Sequence, residues 1–479
     1  MARATCWLLL WGYLAAGVQA LRPKLENTGV NEDNFNPPIA NWQFNPPIPQ
    51  LEQLAPPPRT GRIAAAQADP DPTYLPLPSQ DQWYRSPDGW ENTTAGTVLK
   101  VRQHAYPTRP FAIQNVGDTF QVQFRSLDSH KNPFWGVTTV FIPVNSRCQP
   151  GNATSPTNCT QPILSYQLPY DTSCLDASPS FGLQWGEPYG EIAAALGRGW
   201  WVSVPDYEGP LASYGANIVA GYITVDSMRA VMNVTSDIYN IQDSRIAMWG
   251  YSNGASATEA AAEFAPAHAP DLKIEGAVFG GLSTNVAAAG PLLTQTQVAG
   301  LLVQGLIGVT SQYPEQRKYL VSRLNPSGPY NATEFFWASY MSGWQSLLYY
   351  CYVDIFSYFI GGQADLDHPD IVAMFTREGT LGGFGLPNTK IFVYHAVEDN
   401  MTPINDTDIL VKYYCDQGAN VLFHRNLWGG HNDELRNGRQ RALDFVGDVL
   451  DGTNVLNAPV KGCETVNLTY LQPANLAFH

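Results

Sequence analysis

The residues Gly250-Tyr251-Ser252-Asn253-Gly254 lie between a short apolar run, Arg245–Trp249, and an alanine-rich run, Ala255–Phe264. The first run predicts a buried strand and the second a helix. A serine between them, with glycine two residues away on each side, predicts a nucleophile elbow. Such a turn is tight, and a Cβ at either glycine would clash with the strand or the helix. It exposes the Ser252 Oγ and aims the N–H of Asn253 at a substrate oxygen. Both groups then sit at a helix N-terminus, where the dipole favours a developing negative charge. The five-residue pattern alone is weak and can be an incidental turn. Its force comes from the strand before it and the helix after it.

A serine hydroxyl needs a base, and the base needs an orienting acid. In this strand–elbow–helix context the chain order is Ser, then Asp or Glu, then His. The histidines after Ser252 are His268, His368, His395, His424, His431 and His479. His431 follows Gly429-Gly430, after one predicted strand and before the last predicted helix, so a loop can carry its imidazole over the sheet edge. His424 lies inside a predicted strand, where a packed or surface role is expected. His395 ends its strand too early. The acid belongs on the loop after the predicted strand Lys390–His395, where Glu398 and Asp399 both qualify and position favours Asp399. The bland alternative is a solvated acidic turn.

The elements that must hold these groups follow a rhythm. Val98–Ala105, Thr119–Leu127 and Trp135–Val144 alternate β-branched and aromatic residues and predict an antiparallel β entry. Pro162–Leu168, Trp200–Val204, Ile274–Phe279, Lys390–His395 and Asn420–Trp428 predict further strands. Tyr189–Arg198, Gly221–Asn233, Asp406–Cys415 and Gly438–Leu450 predict helices between them. Strands alternating with helices imply an α/β fold with a mostly parallel sheet. Residues 282–372 break the rhythm with helical patterns such as Val298–Ser311 and Glu334–Tyr350, and predict an inserted helical cap. Val298–Val309 is apolar with small residues; it lines an acyl tunnel, moves at a lipid interface, or simply packs the core of the cap.

The expected organisation is therefore a signal peptide over 1–20, a Pro/Asn-rich extension over 21–80, a core over 81–281 and 373–472, and the cap over 282–372. The signal reading rests on Arg3, the apolar run Cys6–Val18 and the small residues of Val18-Gln19-Ala20. A membrane anchor is the alternative, and the run is short for one. Residues 21–80 suit a polyproline-like arm, a propeptide or a surface wrap.

Charged residues make up 14% of the 479 residues and hydrophobic ones 44%, which excludes a disordered chain. The formal net charge is −15, which disfavours nucleic acid as a partner. Removing Cys6 with the signal leaves six of the seven cysteines, an even number that suits disulfides in an exported protein. Cys148–Cys159 would close a local loop. No C-x-x-C spacing points to zinc. Eight Asn-x-Ser/Thr sequons, two of them at Asn400 and Asn405 beside Asp399, suggest glycosylation. Asn400 is expected to be unmodified, on the reasoning that its loop is buried.

Several stretches together resemble the fungal secretory lipases of the Candida antarctica lipase A type. They are Gly250–Ala255, Ala269–Ala277 with Gly280-Gly281, Ser165-Tyr166-Gln167 leading to Tyr170-Asp171, and Pro205–Pro210. Ala220-Gly221-Tyr222, Asp226–Ala230, His395-Ala396 with Glu398-Asp399, and Cys415 with Gly418-Ala419-Asn420 match as well. The resemblance spans roughly residues 75–470 and implies an α/β-hydrolase fold with a helical cap (lid). It implies the triad Ser252, Asp399, His431, and so selects Asp399 over Glu398. It further implies an oxyanion hole of the Asp171 and Asn253 N–H groups, and disulfides Cys174–Cys351 and Cys415–Cys463. The family commonly has glycine where Asn253 stands; a backbone donor survives that change, and the side chain narrows the entrance or adds a polar contact.

The expected function is a secreted serine hydrolase of carboxylic esters, foremost a triacylglycerol lipase working through an acyl-enzyme. The alternative is a carboxylesterase or acetylesterase acting on small or secondary-metabolite esters. A peptidase of the same fold and a non-catalytic hydrolase-like binding protein are weaker readings; the intact Ser252, Asp399 and His431 oppose the latter. No metal or organic cofactor is expected. The expected partners are the ester substrate and, transiently, a lipid interface, with no integral membrane segment.

Overall fold

The computed structural model describes residues 75–103, 113–148, 157–186, 190–284, 290–456 and 461–472. The expected signal peptide, and the extension up to residue 74, lie outside the described residues. The end of that extension belongs to the folded body. Leu77 and Ser79 are buried, and the Ser79 N–H and Oγ both donate to the Asp176 carboxylate at 2.9 Å.

Among the described residues one sheet of ten strands organises the fold. The strands are β1 (Val98–Gln103), β2 (Val116–Leu127), β3 (Pro133–Pro143), β4 (Thr157–Gln167) and β5 (Trp201–Pro205). They continue with β6 (Ile241–Tyr251), β7 (Ile274–Gly280), β8 (Lys390–Ala396), β9 (Asn420–Asn426) and β10 (Cys463–Leu468). Their spatial order is β1-β2-β3-β5-β4-β6-β7-β8-β9-β10. β1, β2 and β3 run antiparallel, and β3 meets β5 antiparallel. From β5 to β10 every pairing is parallel. The last six residues of β6 are all buried, as a strand covered on both faces requires.

Helices of seven residues or more are α1 (Glu191–Gly197), α2 (Asn217–Asp237), α3 (Asn253–His268), α4 (Ala299–Thr310) and α5 (Pro314–Arg323). They continue with α6 (Gly343–Tyr349), α7 (Pro369–Gly379), α8 (Ile404–Asp416) and α9 (His431–Leu450). α2, α3 and α8 cover one face of the sheet through Met228, Val231, Ala260 and Tyr414. α1 and α9 cover the other through Ile192, Leu196, Phe445 and Val449. α2 and α3 pack so closely that a Cβ on Gly221 would lie 2.7 Å from the Phe264 ring.

The segment between β7 and β8 is helical, and its inner residues Leu302, Val303, Leu306, Phe335, Tyr350 and Tyr358 form an apolar cluster of their own. The single helix expected over Glu334–Tyr350 is instead broken. A short helix, Ala332–Phe336, and a 3-10 turn, Trp337–Tyr340, precede α6. Ser342 starts α6 afresh as its N-cap, because its Oγ accepts the Gln345 N–H while the Gln345 side chain accepts the Ser342 N–H. The sequence pattern does not predict β10. β10 is a half-exposed edge strand whose residues, CETVNL, carry no clean alternation.

Two disulfides form among the described residues, Cys148–Cys159 and Cys415–Cys463. The third one implied by the resemblance, Cys174–Cys351, is not among them, although both residues are buried. Cys415–Cys463 ties the end of α8 to β10.

Candidate active site

β6 runs into α3 through Ser252, whose φ of 56° and ψ of −125° lie outside the regions a non-glycine residue favours. The flanking glycines permit the turn. A Cβ on Gly250 would stand 2.0 Å from the Gly254 carbonyl oxygen, and one on Gly254 would stand 2.0 Å from the Gln167 carbonyl oxygen. The Ser252 N–H donates to the Gly280 carbonyl at 2.8 Å, which fixes the turn to β7. The Oγ therefore stands at the carboxyl end of the parallel strands, at the N-terminus of α3.

The Ser252 Oγ lies 3.0 Å from His431 Nε2, and His431 Nδ1 lies 2.7 Å from Asp399 Oδ2. The three side chains that the sequence singles out are thus joined in one hydrogen-bonded line. His431 is the first residue of α9, which begins earlier than Gly438, the start expected from the pattern. Gly429 has a φ of +87°, a left-handed conformation that lets the chain turn out of β9 into this helix. The Tyr251 hydroxyl donates to the His431 carbonyl at 2.6 Å and holds the backbone under the imidazole.

Asp399 sits on the loop after β8 and is buried, whereas Glu398 beside it is exposed. Its Oδ1 accepts the N–H groups of Met401 and Thr402 at 2.9 and 2.8 Å. Its Oδ2 faces both His431 and His395, the latter with Nε2 at 3.2 Å. Burial raises the carboxyl pKa, but the hydrogen bonds and charge of His395 and His431 outweigh it and hold Asp399 well below the usual carboxylate range. It is an anion wherever the protein is folded near neutral pH.

His395 stands near the end of β8 and is not the base. It is fully buried; its Nε2 also faces the Thr402 carbonyl at 2.8 Å, and its Nδ1 faces Thr407 Oγ1 at 3.0 Å. It steadies the acid loop from beneath. His424 has the packed role expected: burial and the adjacent Arg441 push its pKa down to about 4, so it stays neutral. Asn400 differs from expectation. Asp399 turns inward and Asn400 turns out to solvent, so burial does not shield that sequon.

Asp171 lies four residues past the end of β4, not on the strand, and β4 pairs with β6 so that Gln167 is opposite Gly250. This brings residues 170–173 beside the elbow. Asp171 has a φ of +47°, a second left-handed non-glycine at the site. Its carboxyl is pushed up to about 7 by burial, and its Oδ1 has no hydrogen-bond partner. The Asn253 side chain is held by polar contacts. Its Nδ2 donates to Tyr207 Oη at 3.2 Å and to Glu208 Oε1 at 3.3 Å. The Thr172 N–H faces the same Glu208 carboxyl, whose pKa burial raises well above the ordinary value. Glu208 thus lies between the residue after Ser252 and the residue after Asp171.

A cleft opens in front of Ser252. Ser252, Asn253, Tyr214, Met401 and Thr402 form its floor. Leu301, Leu302, Leu306, Phe356 and Phe375 form an apolar wall, and Gln363 and Asp367 stand on its rim. Among the described residues no group of three or more His, Cys, Asp or Glu side chains is placed to hold a metal ion.

The secretory lipase family model matches residues 182–458, more than half of the chain. The chain belongs to the secretory lipase family. The trichothecene C-3 esterase of Fusarium sporotrichioides is 38% identical over 85% of this chain and 90% of its own length. Lipase A of Arthroderma benhamiae is 33% identical over 88% of each chain. The crystal structure of Candida antarctica lipase A superposes with a TM-score of 0.69 at 25% identity, covering 82% of this chain and 90% of that one. The protein is a carboxylic ester hydrolase with the α/β-hydrolase fold of this secretory family. Among the described residues no helix is long and apolar enough to cross a membrane.

Proposed function

We propose that ester cleavage proceeds through an acyl-enzyme on Ser252, with His431 as general base and acid and Asp399 as the orienting anion. The observation that carries this reading is the continuous line Ser252 Oγ, His431 Nε2, His431 Nδ1, Asp399 Oδ2, with spacings of 3.0 and 2.7 Å. His431 takes the serine proton as Oγ attacks the ester carbonyl, then gives it to the departing alkoxide. Water repeats the sequence on the acyl-enzyme and releases the acid. The N–H groups of Asn253 and Asp171 bind the tetrahedral oxyanion, and the N-terminus of α3 adds its dipole.

The apolar wall of Leu301, Leu302, Leu306 and Phe356 supports an acyl chain as the part of the substrate held in the cleft. An acylglycerol is the substrate class that this wall and the lipase relatives favour. The segment 282–372 acts as the cap over the core. A second reading has its own support: the 38% identity to the trichothecene C-3 esterase favours an ester of a compact oxygenated alcohol, with Gln363 and Asp367 at the rim to meet its polar groups. The signal peptide over 1–20 and glycans at exposed sequons such as Asn400 complete the proposal of a secreted glycoprotein.

Fatty-acid release from emulsified long-chain triacylglycerol, measured beside hydrolysis of a dissolved acetyl ester and with Ser252→Ala as control, tests the reading. Emulsion activity that disappears in Ser252→Ala is expected. Activity on the dissolved acetyl ester alone moves the function to the second reading, and activity that survives Ser252→Ala sinks the mechanism.

A further inference from the structure

The loop that carries Asp171 is strained by its left-handed turn, so something must hold it. The holding contacts come from far along the chain. The N–H of Ser173 donates to Gln304 Oε1 at 2.7 Å, and Ser173 Oγ donates to the same oxygen, across 131 residues of sequence. Gln304 Nε2 donates to the carbonyls of Ala338 and Met341, each at 3.2 Å. Thr172 Oγ1 donates to the Met341 carbonyl at 2.7 Å. Gly343 closes the arrangement, because a Cβ there would lie 2.8 Å from the carbonyl oxygens of Tyr170 and Asp171.

Gln304 is fully buried in α4, a helix whose sequence is otherwise AGLLV and GLIGVT. A primary amide in such a place is costly unless its polar atoms are satisfied. Both acceptor positions of its oxygen and both of its N–H groups are used. Leucine would fill a similar volume at less risk, so the amide is there for what it holds. What it holds is the residue two places after Asp171, together with the backbone that pins Thr172.

We propose that Gln304 is a positioning residue for the hydrolytic reaction: by bridging Ser173 to the backbone at Ala338 and Met341, it fixes the turn at Asp171 and aims the Asp171 N–H at the oxyanion. The inference rests on the reading of Asp171 as an oxyanion donor. It also makes the middle of α4 a fixed wall of the site, because moving it away breaks the donor.

The test compares wild type, Gln304→Leu, Gln304→Glu, Thr172→Val and Ser252→Ala on a dissolved p-nitrophenyl ester. It adds inhibition by an alkyl boronic acid, whose tetrahedral adduct with Ser252 Oγ presents an oxygen where the oxyanion forms. Losing a whole oxyanion donor costs ~10²–10³-fold in kcat, and a mis-aimed donor costs less. Gln304→Leu should lower kcat about 10–100-fold, leave KM within about threefold, and raise the boronate Ki in step with the fall in kcat/KM. Gln304→Glu, which when protonated again offers a donor and an acceptor, should recover more of the wild-type kcat at pH 5 than at pH 8. Thr172→Val should show the same pattern more weakly, and it decides the matter if Gln304→Leu does not fold. A folded Gln304→Leu, or in its place Thr172→Val, with wild-type kcat and Ki overturns the proposal, as does a rise in KM alone. Ser252→Ala with wild-type activity would instead overturn the reading of the site on which the proposal stands.

Discussion

The α carbon of Gly254 faces the carbonyl oxygen of Gln167 so closely that a Cβ on it would stand 2.0 Å from that oxygen. The first turn of α3 is thereby pressed against the end of β4, and the elbow at Ser252 is bent by two strands at once. Gly254→Ala cannot be accommodated without moving one of them. Overpacking of this kind typically costs ~1–3 kcal/mol of stability, and a shift near 1 Å at a reacting group costs ~10²-fold in rate. The expected outcome is a lowered thermal midpoint with kcat/KM reduced by about 10²-fold or more, read by thermal melts beside ester hydrolysis. Wild-type kinetics in Gly254→Ala would show that the turn is looser than its contacts.

The two acidic neighbours on the loop after β8 make a paired test. Asp399 is buried against His431 and His395, and Glu398 points to solvent. Asp399→Asn should lower kcat by about 10⁴-fold, as expected when the amide favours the wrong imidazole tautomer. Glu398→Gln should leave kcat within about twofold, since a surface charge contributes little. Steady-state kinetics of the two folded variants is the measurement, and equal losses would contradict the assignment.

Alkaline pH should slow the enzyme through Asp171. Its carboxyl is pushed up to about 7 by burial, so it is neutral below that pH and charged above it. A carboxylate beside the forming oxyanion opposes the negative charge that the site must stabilise. The kcat/KM profile should therefore fall above about pH 7. Asp171→Asn keeps the backbone N–H, tolerates the left-handed turn, and should flatten that fall. An unchanged alkaline limb in the variant would separate Asp171 from the pH response.

Stability should carry its own pH signature beneath the elbow helix. Glu259 and Glu263 stand one turn apart on α3, and the Tyr414 hydroxyl bonds both carboxyls. One phenolic proton can serve only one of them, so the folded protein keeps a proton on the pair. Burial first, and then the neighbouring Glu263, raises the Glu259 pKa well above its ordinary value. A carboxyl with a raised folded pKa contributes stability that is complete below its unfolded pKa and is lost as pH rises through the folded one. The thermal midpoint should fall as pH is raised from 5 to 9, and Glu259→Gln should reduce that slope. Equal slopes in the two proteins would contradict the shared proton.

The elbow, the parallel strands and His431 were legible because each is local. A glycine-flanked serine between a buried strand and a helix, and a histidine after paired glycines, declare themselves over a few residues. Asp399 needed the family resemblance to separate it from Glu398, since only burial distinguishes two adjacent carboxylates. His395 was passed over because its partners, Thr407 and Asp399, meet it only after β8 and α8 have packed. The same is true of Gln304, whose partners lie 131 residues before it and more than thirty after it. β10 was missed because a half-exposed edge strand has little burial to impose a period. The capping box at Ser342 was readable in principle, but the helical pattern around it hid the break.

The proposed mechanism makes Ser252 the nucleophile and His431 its base. Incubation of the folded protein with a fluorophosphonate, followed by peptide mass spectrometry, is the decisive test. One adduct is expected, on Ser252, forming at least ~10²-fold more slowly in His431→Asn, the range general-base assistance supplies. Labelling at another residue, or an undiminished rate in His431→Asn, would contradict it.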